Sequence, residues 1–159
     1  SPLPAAIAAG RFTDCALRLA GGVEVQAHRF VLAGTEDENF FSAALRWPGS
    51  SPKTEVTMPD GLSHEGLLTM LRLRYGGADI DHERLLEARH FSEYFGWSDV
   101  RRACEARMEA LLAGAGAIDG ASLLAVVTHV GESAAMPPHL KAAAMASAVR
   151  NWSKIAEAA

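Results

Sequence analysis

Residues 23–34 read VEVQAHRFVLAG, and the run changes period in its middle. Val23, Val25 and Ala27 alternate with polar residues, as a strand with one buried face requires. From His28 onward the alternation stops. Phe30, Val31 and Leu32 are successive, and a helix opening near His28 accommodates them. A short strand therefore runs straight into a helix more apolar than one small sheet can cover.

On the N-terminal side, CALRLA (residues 15–20) alternates with Cys15, Leu17 and Leu19 on one face and Ala16 and Arg18 on the other. Gly21-Gly22 supplies the positive φ of a tight turn. Residues 14–27 thus predict a β-hairpin, whose closure brings Asp14 near Arg29. On the C-terminal side, NFFSAALRW predicts a helix with Phe40, Phe41, Ala44 and Leu45 on one stripe. The acidic residues Glu36, Asp37 and Glu38 suit its N-terminus through the helix dipole. EVTMP is a third strand, with Val56 and Met58 inward and Pro59 ending it.

Helices fill the rest. Ser63 and Asp81 are N-cap residues for the next two, and Gly76-Gly77 and Gly96 end them. Leu85, Ala88, Phe91 and Phe95 share a face. Ser98 caps a helix with Val100, Cys104, Met108 and Leu111 on one side. Two more helices follow the small-residue joint AGAGAIDG, and the last aligns Ala142, Met145, Val149 and Trp152. Strands first and helices after predict an α+β fold: a short three-stranded sheet flanked by a cluster of α-helices, followed by a helical extension.

The 159 residues are 49 % hydrophobic and 21 % charged, with a net charge of −4. That balance is globular, and scattered Lys and Arg argue against a nucleic-acid partner. No apolar run approaches the roughly 20 residues of a membrane span. Two cysteines without metal-like spacing suit a reducing compartment, so a cytoplasmic or nuclear location is expected. The opening Ser1 reads as a piece of a longer protein.

At this point the residues resemble a family. Asp14, the hairpin, then Ala27, His28, Arg29, Val31, Leu32 and Ala33 resemble the signature of the BTB/POZ domain. NFFSAALRW is similar to its Phe-rich helix. EVTMPDGLSHEGLLTMLRLRYGG is similar to its strand-to-helix segment ending in Tyr75 and Gly76. LLEARHFSEYFGWSDVRRACEARM resembles its paired helices, with Cys104 in the Cys position. Arg74 departs from the pattern, standing where an apolar residue is usual. The resemblance implies a BTB/POZ-like domain over 1–113 and the start of a BACK-like helical extension over 117–159.

It also implies a protein-interaction module, not an enzyme, that homodimerises. The dimer interface would use Ile7, Phe12, His28, Phe30, Val31 and Leu32, with Asp14 and Arg29 in a charged pocket. A partner groove would use Phe40, Phe41, Leu45, Trp47, Leu71, Tyr75 and Met108. The parent would be a substrate adaptor for a cullin-3 ubiquitin ligase, or a scaffold with no ubiquitin role. In LRWPGSSPK no Glu lies between Trp47 and Lys53, where cullin-binding members carry a hydrophobic-x-Glu motif.

Other chemistry has little support in the sequence. His82 and His90 lie eight apart on one helix, too far to share an ion, and the remaining histidines have no Cys or carboxylate cluster beside them. No metal and no cofactor is expected. A reading of another class, a small hydrolase, rests on Cys104 as nucleophile, and a cysteine on an apolar helix face is most often inert core.

Overall fold

The structure, a computed structural model, describes residues 10–34, 38–45, 54–114 and 118–159. The chain divides into two compact units, Ser1–Arg101 and Arg102–Ala159.

In the first unit the hairpin forms as its pattern requires. β1 (Cys15–Arg18) pairs antiparallel with β2 (Glu24–Ala27), in the register Cys15 to Ala27 and Leu17 to Val25. Gly22, at φ +78°, supplies the turn, and Leu19 N–H donates to Val23 C=O at 2.9 Å. Val23 was expected inward but is 45 % exposed, because it closes this turn instead of joining β2. β3 (Thr54–Thr57) pairs parallel with β1, giving the order β2-β1-β3. The central strand is covered on both faces, which buries Ala16 together with Cys15 and Leu17. Only Arg18 emerges, across from Glu24 and Glu55 at 2.7 and 3.1 Å, an exposed arrangement that contributes little stability.

Helix α1 (Arg29–Ala33) follows β2 directly, with His28 at its N-cap position. Helix α2 (Phe40–Ala44) packs against it. Its start differs from the acidic opening expected from the sequence. Asn39 is the N-cap: its side chain accepts from Ser42 N–H at 2.9 Å, while Ser42 Oγ accepts from Asn39 N–H at 2.8 Å. This reciprocal pair satisfies two otherwise orphaned donors. Glu36 and Asp37 lie outside the described residues. The helix is only five residues long, so its stripe shortens. Phe41 and Leu45 are buried, Phe40 is half-buried and Ala44 is exposed.

Helices α3 (His64–Arg74) and α4 (His82–Phe95) pack on each other. Ser63 and Asp81 cap them, and Gly96 ends α4 in the left-handed region. Glu87 of α4 reaches back to accept from Ser63 N–H at 2.6 Å and Ser63 Oγ at 2.9 Å, tying the two helices at that cap. The core centres on an aromatic cluster. Trp97 stacks on Phe41 at 5.0 Å between centroids, and Phe95 lies against both.

Helix α5 (Ser98–Leu112) begins in the first unit and continues into the second, starting at Ser98 itself rather than after it. Val100, Cys104, Met108 and Leu111 are buried along it. The second unit adds α6 (Gly120–Glu132), α7 (Pro138–Arg150) and α8 (Trp152–Ala156), which contact one another. The stripe aligned in the sequence lies on the wet side of α7. Met145, Val149 and Trp152 are 73 %, 79 % and 68 % exposed, and the buried face is Leu140, Ala144 and Ser147. The smaller residues sit inward because they let α7 approach α6 closely. The long predicted helix also breaks, at Asn151.

Asn39 does two jobs, since its Nδ2 also donates to Ala33 C=O at the end of α1, at 2.6 Å. Asn39→Ala is therefore expected to destabilise by about 2–3 kcal/mol, more than a cap alone. Asn39→Asp, which keeps the cap acceptor and loses the donor, should cost about half as much. Urea denaturation of the two variants distinguishes the roles; equal losses would contradict them.

Candidate functional site

The candidate site is the face presented by α1. A five-residue helix is far too short to be stable alone, and its terminal N–H and C=O groups lack internal partners. Here side chains from distant segments supply them.

At the N-terminal end, His28 main-chain N–H donates to Tyr75 Oη at 3.0 Å, and Arg29 N–H donates to Asp14 Oδ1 at 2.8 Å. The His28 ring bridges two segments, with Nδ1 2.9 Å from Tyr75 Oη and Nε2 2.9 Å from Arg11 C=O. A carbonyl only accepts, so Nε2 carries the hydrogen. In the neutral ring Nδ1 then accepts from the Tyr75 hydroxyl. Burial first, and the Asp14 charge after it, push the Tyr75 hydroxyl above its ordinary pKa, opposed by the His28 main-chain hydrogen bond.

At the C-terminal end three carbonyls are taken in turn. Arg74 Nε donates to Val31 C=O at 3.0 Å, Trp97 Nε1 donates to Leu32 C=O at 3.0 Å, and Asn39 donates to Ala33 C=O. Arg74 also donates to Asp99 at 2.7 Å, and its guanidinium lies over the Trp97 ring, 5.3 Å from the centroid. Gly34 follows at φ +65°, a conformation that favours glycine, and a Cβ there would displace the Arg74 guanidinium.

Held this way by its backbone, α1 need not bury all its side chains. Leu32 is fully buried and Val31 half-buried, but Phe30 is 76 % exposed. Phe12, beside the Arg11 carbonyl that His28 holds, is 92 % exposed. Among the described residues it is the one non-glycine with positive φ, +58°. That conformation costs an aromatic residue on the order of 1 kcal/mol, an outlay typical of sites where surroundings dictate the backbone.

Beside Phe30 lies an open groove of about 280 Å³, lined by Arg29, Phe30, Ala33, Ser42 and Leu45. Asp14 and Arg29 meet, as the hairpin predicts, through the Arg29 main chain. The Arg29 guanidinium turns to the other side and donates to Leu45 C=O at 2.7 Å.

The remaining expected residues are distributed as follows. Ile7 and Trp47 lie outside the described residues. Phe41 and Leu71 are fully buried in the first unit, Phe40 and Tyr75 are half-buried, and Met108 is buried in the second unit. Leu45 reaches the groove. Ser42, which lines it, and Asn39, which supports it, were not marked by the sequence. Arg74 was, as a charge at an apolar position.

Among the described residues no three His, Cys, Asp or Glu side chains stand close enough to hold a metal ion, and no helix is long and apolar enough to cross a membrane. Cys15 and Cys104 are both buried, and neither is in a disulfide. Burial, reinforced by Asp14 and opposed by Arg29, pushes the Cys15 thiol up to about 11 from 9.0.

This shift has a definite sign. Between pH 9 and 11 the unfolded chain releases the Cys15 proton while the folded chain retains it. The unfolded state then binds fewer protons, so stability falls as pH rises, by up to about 3 kcal/mol across the window. Denaturation midpoints measured from pH 8.5 to 11 should fall less steeply in Cys15→Ala; identical profiles would refute the assignment.

Compared with known protein families, residues 6–111 match the BTB/POZ domain, more than half of the chain. None of the curated proteins matches the chain.

Proposed function

The chain belongs to the BTB/POZ domain family, whose members are protein–protein interaction modules, and from this premise we propose that it homodimerises through the face of α1. The carrying observation is the pair of exposed phenylalanines, Phe12 and Phe30, held beside the His28 anchor. We assign the interface to Phe12 and Phe30, joined by His28 and Val31 of the same segment and by Ile7 of the lead-in; Leu32, fully buried, serves the core instead. Asp14 contributes to it through the Arg29 main chain, whereas the Arg29 guanidinium serves Leu45 C=O, and we take the interaction domain to span 1–113 with a BACK-like extension over 117–159.

Magnitudes support a two-fold arrangement that needs the lead-in as well. Each Phe contributes about 1.5–3 kcal/mol when fully buried, so the four of a symmetric pair offer roughly 6–12. Association costs about 4–15 kcal/mol, so the aromatics alone do little more than balance it. The apolar residues Leu3 and Ile7 would supply the surplus. Interfaces near this balance are sensitive to single anchors. Light scattering of the whole chain at micromolar concentration should give a dimer, and Phe30→Asp a folded monomer. A monomeric unsubstituted chain would overturn the reading.

The finer role we propose is that of a substrate adaptor for a cullin-3 ubiquitin ligase, with the groove beside Phe30 and the residues Phe40, Leu45, Trp47 and Tyr75 forming the partner region; Phe41, Leu71 and Met108, fully buried, are core instead. Two buried cysteines, neither in a disulfide, fit a reducing cytoplasmic or nuclear setting. A second reading, a scaffold with no ubiquitin role, is favoured by one observation: no Glu occurs between Trp47 and Lys53. Pull-down with purified cullin-3 separates the two. Capture that is lost on Leu45→Asp, with the fold retained by circular dichroism, is expected of the adaptor. Absence of capture leaves the scaffold.

A further inference from the structure

The exposed side of α7 belongs to the second unit. Met145 and Val149, four residues apart, form a raised ridge, continued by Trp152 at the start of α8. Ala142 and Ala146, also four apart and exposed, form a low ridge beside it. A tall ridge flanking a low one is a groove at helical spacing, the shape that receives the ridge of another helix. Three large apolar side chains, each at least two-thirds exposed, also make a patch of the size that on monomers is often functional, on the order of 300–600 Å².

Charge indicates what covers it. In a chain of net charge −4, residues 133–156 contain no Asp or Glu, and they contain Lys141, Arg150 and Lys154. Two of these cations are fixed in place. Arg150 donates to Leu112 C=O at 2.9 Å, and Lys154 donates to Ile118 C=O. Positively charged groups held by main-chain hydrogen bonds match carboxylates at set positions on a folded partner better than the fluid headgroups of a bilayer. A second copy of the same face is disfavoured, because a two-fold crossing would set this all-cationic segment against itself.

We propose that α7 and α8 form a docking groove for an amphipathic helix of another protein, with its apolar stripe on Met145, Val149 and Trp152 and carboxylates along its borders.

The test uses the whole chain and a short fluorescein-labelled helical peptide, with leucines at helical spacing and glutamates on both borders. Its counterpart carries lysines in place of the glutamates. Saturable binding of the glutamate peptide is expected, with the lysine peptide weaker by about tenfold or more. Met145→Asp and Val149→Asp, both at exposed positions, should weaken binding at least about tenfold at an unchanged melting temperature. No saturation, equal binding of both peptides, or binding indifferent to Val149→Asp overturns the proposal. So does capture by vesicles of phosphatidylserine and phosphatidylcholine that Val149→Asp abolishes, which would make the face a lipid surface. Self-association lost on Val149→Asp would do the same in favour of a second copy.

Discussion

The first unit depends on a five-residue helix that other segments hold by its backbone. Left alone, α1 would have unpaired donors at one end and unpaired carbonyls at the other, each costing about 1–3 kcal/mol if buried without a partner. Asp14 and Tyr75 answer the donors; Arg74, Trp97 and Asn39 answer the carbonyls. Together these ties fix where α1 sits and how it is rotated. They come from the hairpin entrance, from the cap of α2, from the end of α3, and from Trp97 between α4 and α5. The helix is thus a point at which most of the unit converges.

This arrangement accounts for the apolar run that no small sheet could cover. A helix docked by its side chains would have to turn Phe30 inward or lose stability. A helix docked by its backbone needs only Leu32 in the core, and Phe30 is free to face solvent. The Arg11 to His28 hydrogen bond extends the same logic to the lead-in, where it sets Phe12 in a conformation that an unconstrained chain would avoid. Family membership makes this an interaction module, and the backbone ties explain how it can keep large aromatics exposed without losing its fold.

Local signals were legible in the sequence, and long-range ones were not. The hairpin, the caps at Ser63 and Asp81, the stop at Gly96 and the buried faces of α4 and α5 follow from period and turn chemistry within a few residues. The supports of α1 do not, because Arg74 is 43 residues from Val31 and Trp97 is 65 from Leu32. Arg74 showed only as an anomaly, a charge on an apolar helix position. Its explanation required knowing that the Val31 carbonyl, the Asp99 carboxylate and the Trp97 ring converge there. Val23 misled because period alone cannot tell the last residue of a turn from the first of a strand. The α7 stripe misled for a different reason. Periodicity finds the larger apolar face, whereas close packing on α6 selects the smaller one, and nothing in a single sequence says which constraint wins.

Both surprises separate fold-bearing residues from contact-bearing ones. In α1 the fold rests on main-chain groups and on partners elsewhere, so Phe30 can change without a cavity opening beneath it. In α7 the fold rests on Leu140, Ala144 and Ser147, so Met145, Val149 and Trp152 can change without disturbing α6. Substituting a core residue alters both packing and surface, but substituting any of these four alters the surface alone. A module whose task is to meet other proteins gains from that separation: its contacts can diversify among relatives while the hydrogen bonds that position them stay the same. The constraint runs the other way as well. Asn39, Arg74 and Trp97 hold the main chain of α1, so a change in any of them would move the face that carries Phe30.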